Sequence, residues 1–436
     1  MKRSMRKFCI TTLGCKVNQC ESDALFRYLK ETGWVSAEEN ADICIINTCT
    51  VTQKASMQSR QAIRKIIRAN PHAKIIVTGC YAQADADDIR KITGVHYVVG
   101  HSDKHRISEL IESLTQKASD DLFWHDVRHE RVFREMPAIP IGERTRPFLK
   151  IQDGCDAFCT YCIVPYTRGR SRSMRPEKVL ESLRLMKDAG YKEAVLSGVH
   201  LGCYALDLIP KTDLFQLLRQ IDESEPIDRV RLSSVEPHEL RDEIIQLIAN
   251  SQILCRHFHI PLQSGDDDVL RRMRRPYSRQ YFRELILKIH TLMPDAAIGA
   301  DILVGFPGES DAAFENTYCL IQELPISYLH VFPFSARKNT PAAAYSDNIL
   351  PEIVKTRTRR LRELGAVKRA AFYRQFIGQT LEVLVESSRD ERTGLLKGFS
   401  SNYVPVFIDG ESDLANTMVR VVVDNISKDN RVFCRV

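Results

Sequence analysis

Short runs of β-branched residues alternate with segments of helical periodicity over most of this chain, and few folds accommodate such an alternation. Residues 8–12, 42–47 and 74–78 have the pattern of buried strands, and residues 22–32 and 53–69 have the pattern of the helices between them. A strand–helix–strand connection is right-handed and makes its two strands parallel. The first part of the chain is therefore predicted to be a parallel α/β domain of the flavodoxin or Rossmann type.

Six further strand candidates, separated by helical patterns, follow in the middle of the chain. They are residues 148–152, 193–197, 229–233, 257–261, 297–304 and 328–333. Six strands with crossover helices predict a partial (β/α)6 barrel, with its site at the carboxyl ends of the strands. The last part has only strand patterns, which predict a small antiparallel β-barrel. These patterns cover residues 380–387, 395–400, 404–408 and 418–424.

Three domains are expected in a chain of 436 residues, since a typical domain has about 100–200 residues. The α/β pattern covers residues 6–118, the barrel pattern covers residues 141–373, and the final β segment covers residues 375–436. A polar stretch with little periodicity, about residues 115–146, is interpreted as a linker. One long basic helix is predicted at residues 351–375, where the second domain meets the third.

Charge, hydropathy and cysteine content narrow the class of protein. No apolar run approaches the roughly 18 residues that cross a bilayer. The apolar stretch after the basic residues 1–6 is interrupted by Lys16 and Asn18, which argues against a signal peptide. We therefore expect a cytoplasmic protein without a membrane partner. The net charge of +6 is too small to indicate a nucleic-acid partner by itself, whereas 13 cysteines in a reducing compartment point to metal binding or chemistry.

Three cysteines on one short loop form a C-x3-C-x2-C motif: Cys155, Cys159 and Cys162. Three thiolates can bind three irons of a [4Fe–4S] cluster and leave the fourth iron open, as a metal needs to be for chemistry. The loop follows the first predicted barrel strand, at the end where such barrels place their sites. A zinc site is the alternative, although the motif offers no obvious fourth ligand for zinc.

Three more cysteines each follow one strand of the first domain: Cys15, Cys49 and Cys80. The carboxyl ends of parallel strands lie along one edge of a sheet, so we expect these thiols to converge on a second cluster with one open iron. The alternative is three unrelated buried cysteines. Cys20 is close enough in sequence to Cys15 to be the alternative ligand of this cluster. Other cysteines without a partner at ligand spacing are interpreted as structural: Cys203, Cys255, Cys319 and Cys434.

Taken in this order, the motifs resemble those of the radical S-adenosylmethionine (SAM) methylthiotransferases, over nearly the whole chain. The final segment, with residues 398–400 and 402–406, resembles the RNA-binding TRAM domain of that family. Residues 12–18 are most similar to the branch that acts on N6-threonylcarbamoyladenosine in tRNA. Residues 259–265, 301–309 and 331–335 also resemble that branch, whereas Ala205 replaces the glycine expected after Tyr204.

The resemblance implies two [4Fe–4S] clusters and SAM as cofactors, with the Cys155 loop as the catalytic one. A radical formed from SAM would remove the C2 hydrogen of N6-threonylcarbamoyladenosine at position 37 of tRNA, next to the anticodon. Sulfur and a methyl group, the latter from a second SAM, would replace that hydrogen. An electron donor such as flavodoxin or ferredoxin is implied, while the sulfur donor is not identified. Candidate SAM contacts are residues at predicted strand ends, where capping is the alternative role: Ser197, Gly198, Ser234, Glu236 and Gln263.

Basic residues cluster where tRNA, through its anticodon stem-loop, is expected to bind, although charge runs are usually solvated helix faces. They are Arg168, Arg170, Arg172 and Arg175, then Arg271, Arg272, Arg274 and Arg275, and the cations of residues 355–374. Residues 376–436 carry 7 basic and 9 acidic residues, so we expect that segment to use shape and base stacking on Phe399 and Tyr403.

Two other functions remain open from the sequence. The first is the same chemistry on isopentenyladenosine in tRNA or on an aspartate of a ribosomal protein. The second, of another class, is a non-catalytic iron–sulfur protein that binds RNA and senses redox state. Such a sensor needs neither an open iron nor a SAM pocket, so SAM-dependent formation of 5′-deoxyadenosine would separate it from an enzyme.

Overall fold

The computed structural model describes residues 6–113, 124–135 and 144–436. The described residues form two compact units. The first unit lies within residues 1–142, 152–174 and 335–343, and the second lies within residues 143–151, 175–334 and 344–436. About half of the predicted linker, 115–146, lies outside the described residues, at 115–123 and 136–143. None of the described helices combines the length and hydropathy that a bilayer crossing requires.

Strands and helices alternate through both units until the last segment, which is almost entirely β. The strands are β1 (Lys7–Thr12), β2 (Val35–Ser36), β3 (Ile43–Thr48), β4 (Lys74–Gly79), β5 (Tyr97–Val99), β6 (Phe148–Lys150), β7 (Gln152–Asp153), β8 (Arg172–Ser173), β9 (Glu193–Ser197), β10 (Arg229–Leu232), β11 (His257–His259), β12 (Ala297–Val304), β13 (Tyr328–Pro333), β14 (Thr380–Arg389), β15 (Leu396–Ser400), β16 (Pro405–Ile408), β17 (Met418–Ile426) and β18 (Val432–Arg435). The α-helices are α1 (Lys16–Glu31), α2 (Gln53–Ala69), α3 (Cys80–Ala84), α4 (Ala86–Arg90), α5 (Ile107–Ser113), α6 (Val164–Arg168), α7 (Pro176–Asp188), α8 (Leu214–Ser224), α9 (Asp242–Asn250), α10 (Asp267–Arg272), α11 (Arg279–Leu292), α12 (Asp311–Glu323) and α13 (Pro351–Arg374).

The first unit is built on a five-stranded parallel sheet with strand order β2-β1-β3-β4-β5. β3 is buried along its whole length, which explains its continuous apolar run. Helix α2 has the bounds that the sequence predicts, but α1 begins six residues before the predicted start at residue 22. Its first turn buries the polar Asn18, whose side chain donates to the carbonyls of Leu13 and Thr48 at 2.7 and 3.1 Å. A buried polar residue there removes the apolar periodicity that would have marked the helix start.

The second unit contains the six predicted parallel strands as two three-stranded sheets, β10-β9-β6 and β11-β12-β13. Strands β9, β12 and β13 have the predicted bounds. β6 ends at Lys150, two residues early, because Gln152–Asp153 pairs separately with Arg172–Ser173 as a short antiparallel ribbon in the first unit. Helix α13 ends at Arg374, one residue before the predicted end.

The last segment closes into a five-stranded barrel with strand order β14-β15-β16-β18-β17. Valine and isoleucine side chains fill it, among them the fully buried Val383, Val421 and Ile408. The barrel was predicted to be antiparallel. This is wrong for one pair of strands, because β16 and β18 pair in parallel. β18 was absent from the prediction, since four residues after a polar turn give too short a pattern to recognise.

Candidate functional site

The first unit places the three strand-end cysteines on adjacent loops. β1, β3 and β4 are neighbours in register, with Thr12 opposite Asn47 and Thr48 opposite Gly79. Cys15 is the residue before α1 and is exposed, Cys49 directly follows β3 and is buried, and Cys80 begins α3 and is buried. The three loops therefore open on the same edge of the sheet, as the topology argument expects.

Cys15 and Cys20 occupy different positions on the same helix. Cys15 caps the amino end of α1, whereas Cys20 lies five residues into it, about 7.5 Å further along the axis at 1.5 Å per residue. The charge of Cys15 acts on both Cys49 and Cys80. Cys15 is therefore the better candidate for a shared site with those two thiols.

Burial and the neighbouring thiols both shift the pKa values of these cysteines. Burial raises the pKa of the Cys49 thiol to about 12, and a charged Cys80 adds to the rise. Burial also raises the pKa of Cys80, while Arg168, which hydrogen-bonds its sulfur, and Lys104 oppose the rise. Each negatively charged thiolate makes ionisation of the neighbouring thiol less favourable. A positive charge is therefore needed for all of them to be thiolates at once, and a coordinated metal ion supplies that charge.

Arg168 lies at the centre of a buried polar network beside these thiols. It is 1% exposed, and its guanidinium donates to Asn18 Oδ1 at 2.6 Å, Asp153 Oδ1 at 2.8 Å and Glu21 Oε1 at 3.1 Å. Lys104, also buried, pairs with Glu21. Two cations thus balance two carboxylates, as buried charges require. The prediction that Arg168 contacts RNA is wrong, because its guanidinium is enclosed. The same holds for two other predicted arginines that are buried, Arg172 and Arg275.

Unsatisfied polar atoms mark the same edge of the sheet. Thr78 Oγ1, His101 Nε2 and Ser102 Oγ are buried without a hydrogen-bond partner in the described part of the chain. Thr78 precedes Cys80 by two residues, and His101 and Ser102 follow β5, the neighbouring strand. Buried polar groups are rarely left unpaired, and each such group needs an explanation. Together with the cations Arg168 and Lys104, they fit a site that holds an anionic, thiolate-bound cluster.

The C-x3-C-x2-C loop is compact and also lies in the first unit. Cys155 N–H donates to the carbonyl of Gly169 at 3.0 Å, and Cys162 N–H donates to that of Cys159 at 3.0 Å. Gly154 has φ +75°, and a Cβ there would lie 1.9 Å from the carbonyl oxygen of Arg170, so only glycine fits before the first cysteine. No group of three thiols among the described residues lies within 4.8 Å mutually. A four-iron cluster, which is wider than one ion, suits the two triads better than zinc does.

A cavity of about 370 Å³ in the first unit is bounded by α3, which begins at Cys80, and α6, which follows Cys162. Trp124, Tyr166 and Arg337 are among its lining residues. Arg337 is 7% exposed, and its Nη2 donates to Thr50 Oγ1 at 2.5 Å. Its Nε has no hydrogen-bond partner within the described ranges. The cavity therefore offers aromatic faces and an incompletely paired cation beside both cysteine-bearing segments.

The predicted SAM contacts lie at strand ends of the second unit. Ser197 is buried at the end of β9, with Gly198 after it, and Ser234 is exposed two residues after β10. Glu236 is already paired with the buried Arg275. Gln263 has φ +66°, and its N–H donates to the carbonyl of Asp301 at 2.8 Å. These residues share one end of the parallel sheets, and Glu236 shares its carboxylate with Arg275.

The basic helix α13 presents its arginines on two different faces. Arg357 is buried and donates to Glu309 and Asp311 at 2.7 and 2.6 Å, and Arg360 pairs with Glu315 at 2.5 Å. The sequence suggested that Arg357 neutralises RNA phosphate. That prediction is wrong, because its guanidinium is buried and already paired. On the other face, a groove of about 1080 Å³ is lined by Lys355, Arg359 and Arg362, among other residues. This face of α13 therefore offers three cations to a polyanion.

The aromatic rings of the last domain are already engaged within the second unit. Arg146 lies over the ring of Phe399 at 3.8 Å, and the ring of Tyr403 stacks on His257 at 4.3 Å. Arg231 donates to the carbonyls of Ser400 and Ser401 at 3.0 and 2.9 Å. The prediction that Phe399 and Tyr403 stack on RNA bases is wrong, because Arg146, Arg231 and His257 already lie against these two rings.

Sequence reasoning missed several residues beside the thiols. Glu21, Lys104 and His101 carry no motif, and Arg168 was assigned to another role. Lys104 and His101 follow β5, a three-residue strand that was not predicted, so their place at the sheet edge was hidden. The turn at Ala205 forms despite the replacement of glycine, since Ala205 itself adopts φ +65°.

Comparison with known proteins gives the family. Residues 7–100 match a family described as "Uncharacterized protein family UPF0004", and residues 149–321 match the radical SAM superfamily. Among solved structures, the radical SAM methyltransferase TsrM from Kitasatospora setae is similar in fold. The TM-score is 0.57 at 14% identity, and the match covers 78% of this chain and 77% of that one.

Curated relatives match over nearly their full length. The threonylcarbamoyladenosine tRNA methylthiotransferase MtaB of Bacillus subtilis is 38% identical over 94% of this chain and 92% of the relative. That of Aquifex aeolicus is 36% identical over 96% and 100%. A tRNA-2-methylthio-N(6)-dimethylallyladenosine synthase of Protochlamydia amoebophila is 33% identical over 98% and 95%. The predicted resemblance and fold class are thereby confirmed. The chain belongs to the radical SAM tRNA methylthiotransferases, enzymes that use SAM and two [4Fe–4S] clusters.

Proposed function

We propose that this enzyme adds a methylthio group at C2 of N6-threonylcarbamoyladenosine at position 37 of tRNA, next to the anticodon. The observation that carries the proposal is the presence of two cysteine triads within one compact unit, one of them beside a buried cation network. Relatives named for threonylcarbamoyladenosine are 34–38% identical, whereas those named for dimethylallyladenosine are 32–33% identical. This ranking supports the threonylcarbamoyl substrate.

The six cysteines are proposed as the cluster ligands. Cys155, Cys159 and Cys162 would hold the catalytic cluster, and Cys15, Cys49 and Cys80 would hold the second one. When bound, the clusters and SAM supply radical cleavage of the adenine C2–H bond and the sulfur and methyl groups. Ser197, Gly198, Ser234, Glu236 and Gln263 remain candidates to bind SAM, and Glu236 also pairs with Arg275.

The protein's own contribution beside the second triad is electrostatic. Arg168 donates to the sulfur of Cys80 and lowers its pKa against burial, and Lys104 acts in the same direction. Both cations are held by carboxylates that are themselves buried, Glu21 and Asp153. A fixed positive charge stabilises thiolates without any rearrangement at the moment of binding.

The cavity near Arg337 is proposed to receive the threonylcarbamoyl side chain of the target nucleotide. That side chain carries a carboxylate, which a dimethylallyl group lacks, and the unpaired Nε of Arg337 is a donor suited to it. Trp124 and Tyr166 offer faces on which a base can stack. A loop base can leave its stack for such a pocket at small cost.

The anticodon stem-loop is proposed to lie along the α13 groove, where Lys355, Arg359 and Arg362 face the solvent. Phosphate contacts from such cations position RNA without reading its sequence. We further propose the functional divisions 6–118, 141–373 and 375–436, a cytoplasmic location, and an electron donor of the flavodoxin or ferredoxin type.

Mass spectrometry of tRNA nucleosides from a deletion strain tests the proposal. The 2-methylthio derivative of threonylcarbamoyladenosine is expected to disappear and to return with the intact gene, but not with Cys155→Ala. Loss of the 2-methylthio derivative of isopentenyladenosine instead would keep the family chemistry and overturn the substrate. In the complemented strain, Arg337→Gln is expected to reduce the product more than Lys338→Gln, because only Arg337 is buried with an unpaired donor.

A further inference from the structure

Three side chains with metal-binding atoms meet outside the two cysteine triads: His200, Cys203 and Glu239. His200 precedes and Cys203 ends a single 3₁₀ turn, Leu201–Cys203, after β9. Glu239 ends the turn Pro237–Glu239 after β10. Because β9 and β10 are parallel neighbours, their following loops lie side by side and bring the three residues together. From the sequence alone, Cys203 was interpreted as structural, because no partner lies near it at ligand spacing.

The separations of the donor atoms suit one small ion. Nε2 of His200 lies 2.8 Å from Oε1 of Glu239 and 3.8 Å from Sγ of Cys203. The sulfur lies 3.1 Å from the same carboxylate oxygen. Metal bonds of about 2.0–2.3 Å at tetrahedral angles place ligand atoms about 3.3–3.7 Å apart. An outward shift of about 0.5 Å by the Glu239 carboxylate would therefore admit the ion.

The carboxylate of Glu239 is incompletely used by the protein. Its Oε1 faces both Cys203 and His200, whereas its Oε2 is buried without a hydrogen-bond partner across the described ranges. A Cβ at residue 202 would lie 1.9 Å from Oε2, so Gly202 provides the space that this oxygen occupies. A buried carboxylate oxygen without a partner costs free energy, and a cation bound beside it would remove that cost.

We propose that His200, Cys203 and Glu239 bind a zinc ion. Thiolate, imidazole and carboxylate are the ligand types that zinc takes in proteins. Cys203 would release its proton to solvent on binding, so that one thiolate and one carboxylate balance the two positive charges of the ion. The fourth position is open to water or to His238, whose Nε2 lies 3.8 Å from Oε1 of Glu239 at a more exposed position.

This zinc would join two loops that carry predicted SAM contacts. Gly198 lies two residues before His200, and Glu236 lies three residues before Glu239. An ion bound by both loops fixes their separation and is expected to hold these strand ends in place. The site uses none of the six cluster cysteines.

Zinc K-edge X-ray absorption on the cluster-loaded protein with one equivalent of zinc tests the proposal. We expect one sulfur and about three nitrogen or oxygen ligands. Zinc bound adventitiously at a cluster triad would show about three sulfurs, and zinc on the surface would show none. Either spectrum would overturn the assignment.

Variants provide a second, independent measurement of zinc affinity by competition with a chelating indicator. Cys203→Ser and Glu239→Gln are expected to weaken zinc binding at least about tenfold, while both keep a hydrogen-bonding group and a similar volume. Cys319→Ser, which changes an exposed cysteine on α12 of the same unit, is the matched control and is expected to leave affinity unchanged. Equal affinity for the wild type and Cys203→Ser would exclude the site.

Discussion

Arg168 donates a hydrogen bond to Glu21 over 3.1 Å, and both side chains are almost completely buried. The bond joins the helix that follows the Cys155 loop to the helix that begins after Cys15. The segments that carry Cys15 and the Cys155 loop are thus held together by a charge pair between two protein side chains.

Replacing Arg168 by leucine is expected to destabilise the metal-free protein by about 3–5 kcal/mol, because Glu21 and Asp153 would lose a buried partner. Urea unfolding measures the loss. Arg170→Leu is the matched control, since Arg170 lies two residues away and is exposed. Equal unfolding midpoints for the two variants would show that the buried network contributes no stability.

Iron content tests the ligand assignment. Anaerobically reconstituted protein is expected to hold about eight irons, from two four-iron clusters. Replacing Cys155, Cys159 and Cys162 together by alanine is expected to halve the iron and to abolish SAM cleavage.

The second triad has its own outcome in the same assay. Joint replacement of Cys15, Cys49 and Cys80 is expected to halve the iron but to leave some SAM cleavage. Cys20→Ala is the control within α1 and is expected to change little. Unaltered iron after the triple change, or a large loss with Cys20→Ala, would show that the ligands of the second cluster are assigned wrongly.

The RNA surface can be tested by the salt dependence of tRNA affinity. Removing one cation that neutralises a phosphate should flatten the plot of log affinity against log salt by about 0.7–0.9. Joint change of Lys355, Arg359 and Arg362 to glutamine is therefore expected to flatten it by about two units or slightly more. Arg357→Gln, on the opposite face of α13, is expected to lower stability and to leave the slope unchanged. The reverse pattern would place the RNA elsewhere.

The strands were predictable because burial on both faces leaves short continuous apolar runs, as at residues 43–46 of β3 and 302–304 of β12. The cysteine positions followed from the rule that parallel strands end on one edge, without any knowledge of distances. Short strands such as β5 and β18 were not predicted, because three or four residues are too few to show a periodic hydrophobic pattern. The start of α1 escaped because a buried asparagine occupies its first turn.

The partners of charged residues could not be predicted in the same way. Glu21 and Arg168 are separated by 147 residues, and no local pattern joins them. On α13, Arg357 and Arg359 belong to one basic run, yet one is buried on Glu309 and the other is exposed. Which face of a helix is buried depends on the elements packed against it. Because α13 carries arginines on both faces, the sequence does not indicate which face is buried.

A substitution of Tyr403 distinguishes a structural role of its ring from a role in stacking on RNA bases. Tyr403→Ala is expected to lower stability by about 2 kcal/mol, because the ring of Tyr403 packs against His257 and Tyr328. Its tRNA affinity is expected to remain unchanged. The control is Phe332→Ala, since that ring is 46% exposed. An unchanged unfolding midpoint combined with an affinity loss of about 1–3 kcal/mol would restore the stacking role.

The acid stability of the second unit is expected to depend on Glu193. Burial acts to raise its pKa, but Arg231 and Arg229 outweigh burial and hold the pKa at about 2. The folded protein therefore binds fewer protons here than the unfolded chain, whose glutamate pKa is about 4.3. The resulting stability, about 3 kcal/mol, is present above pH 4.3 and is lost as the pH falls toward 2.

Urea midpoints from pH 7 to pH 3 measure this dependence. Glu193→Gln is expected to be less stable at pH 7, because Arg229 and Arg231 lose their buried counter-charge. It is also expected to lose less stability than the wild type between pH 4.3 and pH 3. Glu315→Gln, which removes the partner of Arg360 on the surface, is the control and should keep the wild-type profile. If Glu193→Gln shows the same fall as the wild type over that interval, another carboxyl group controls the acid transition.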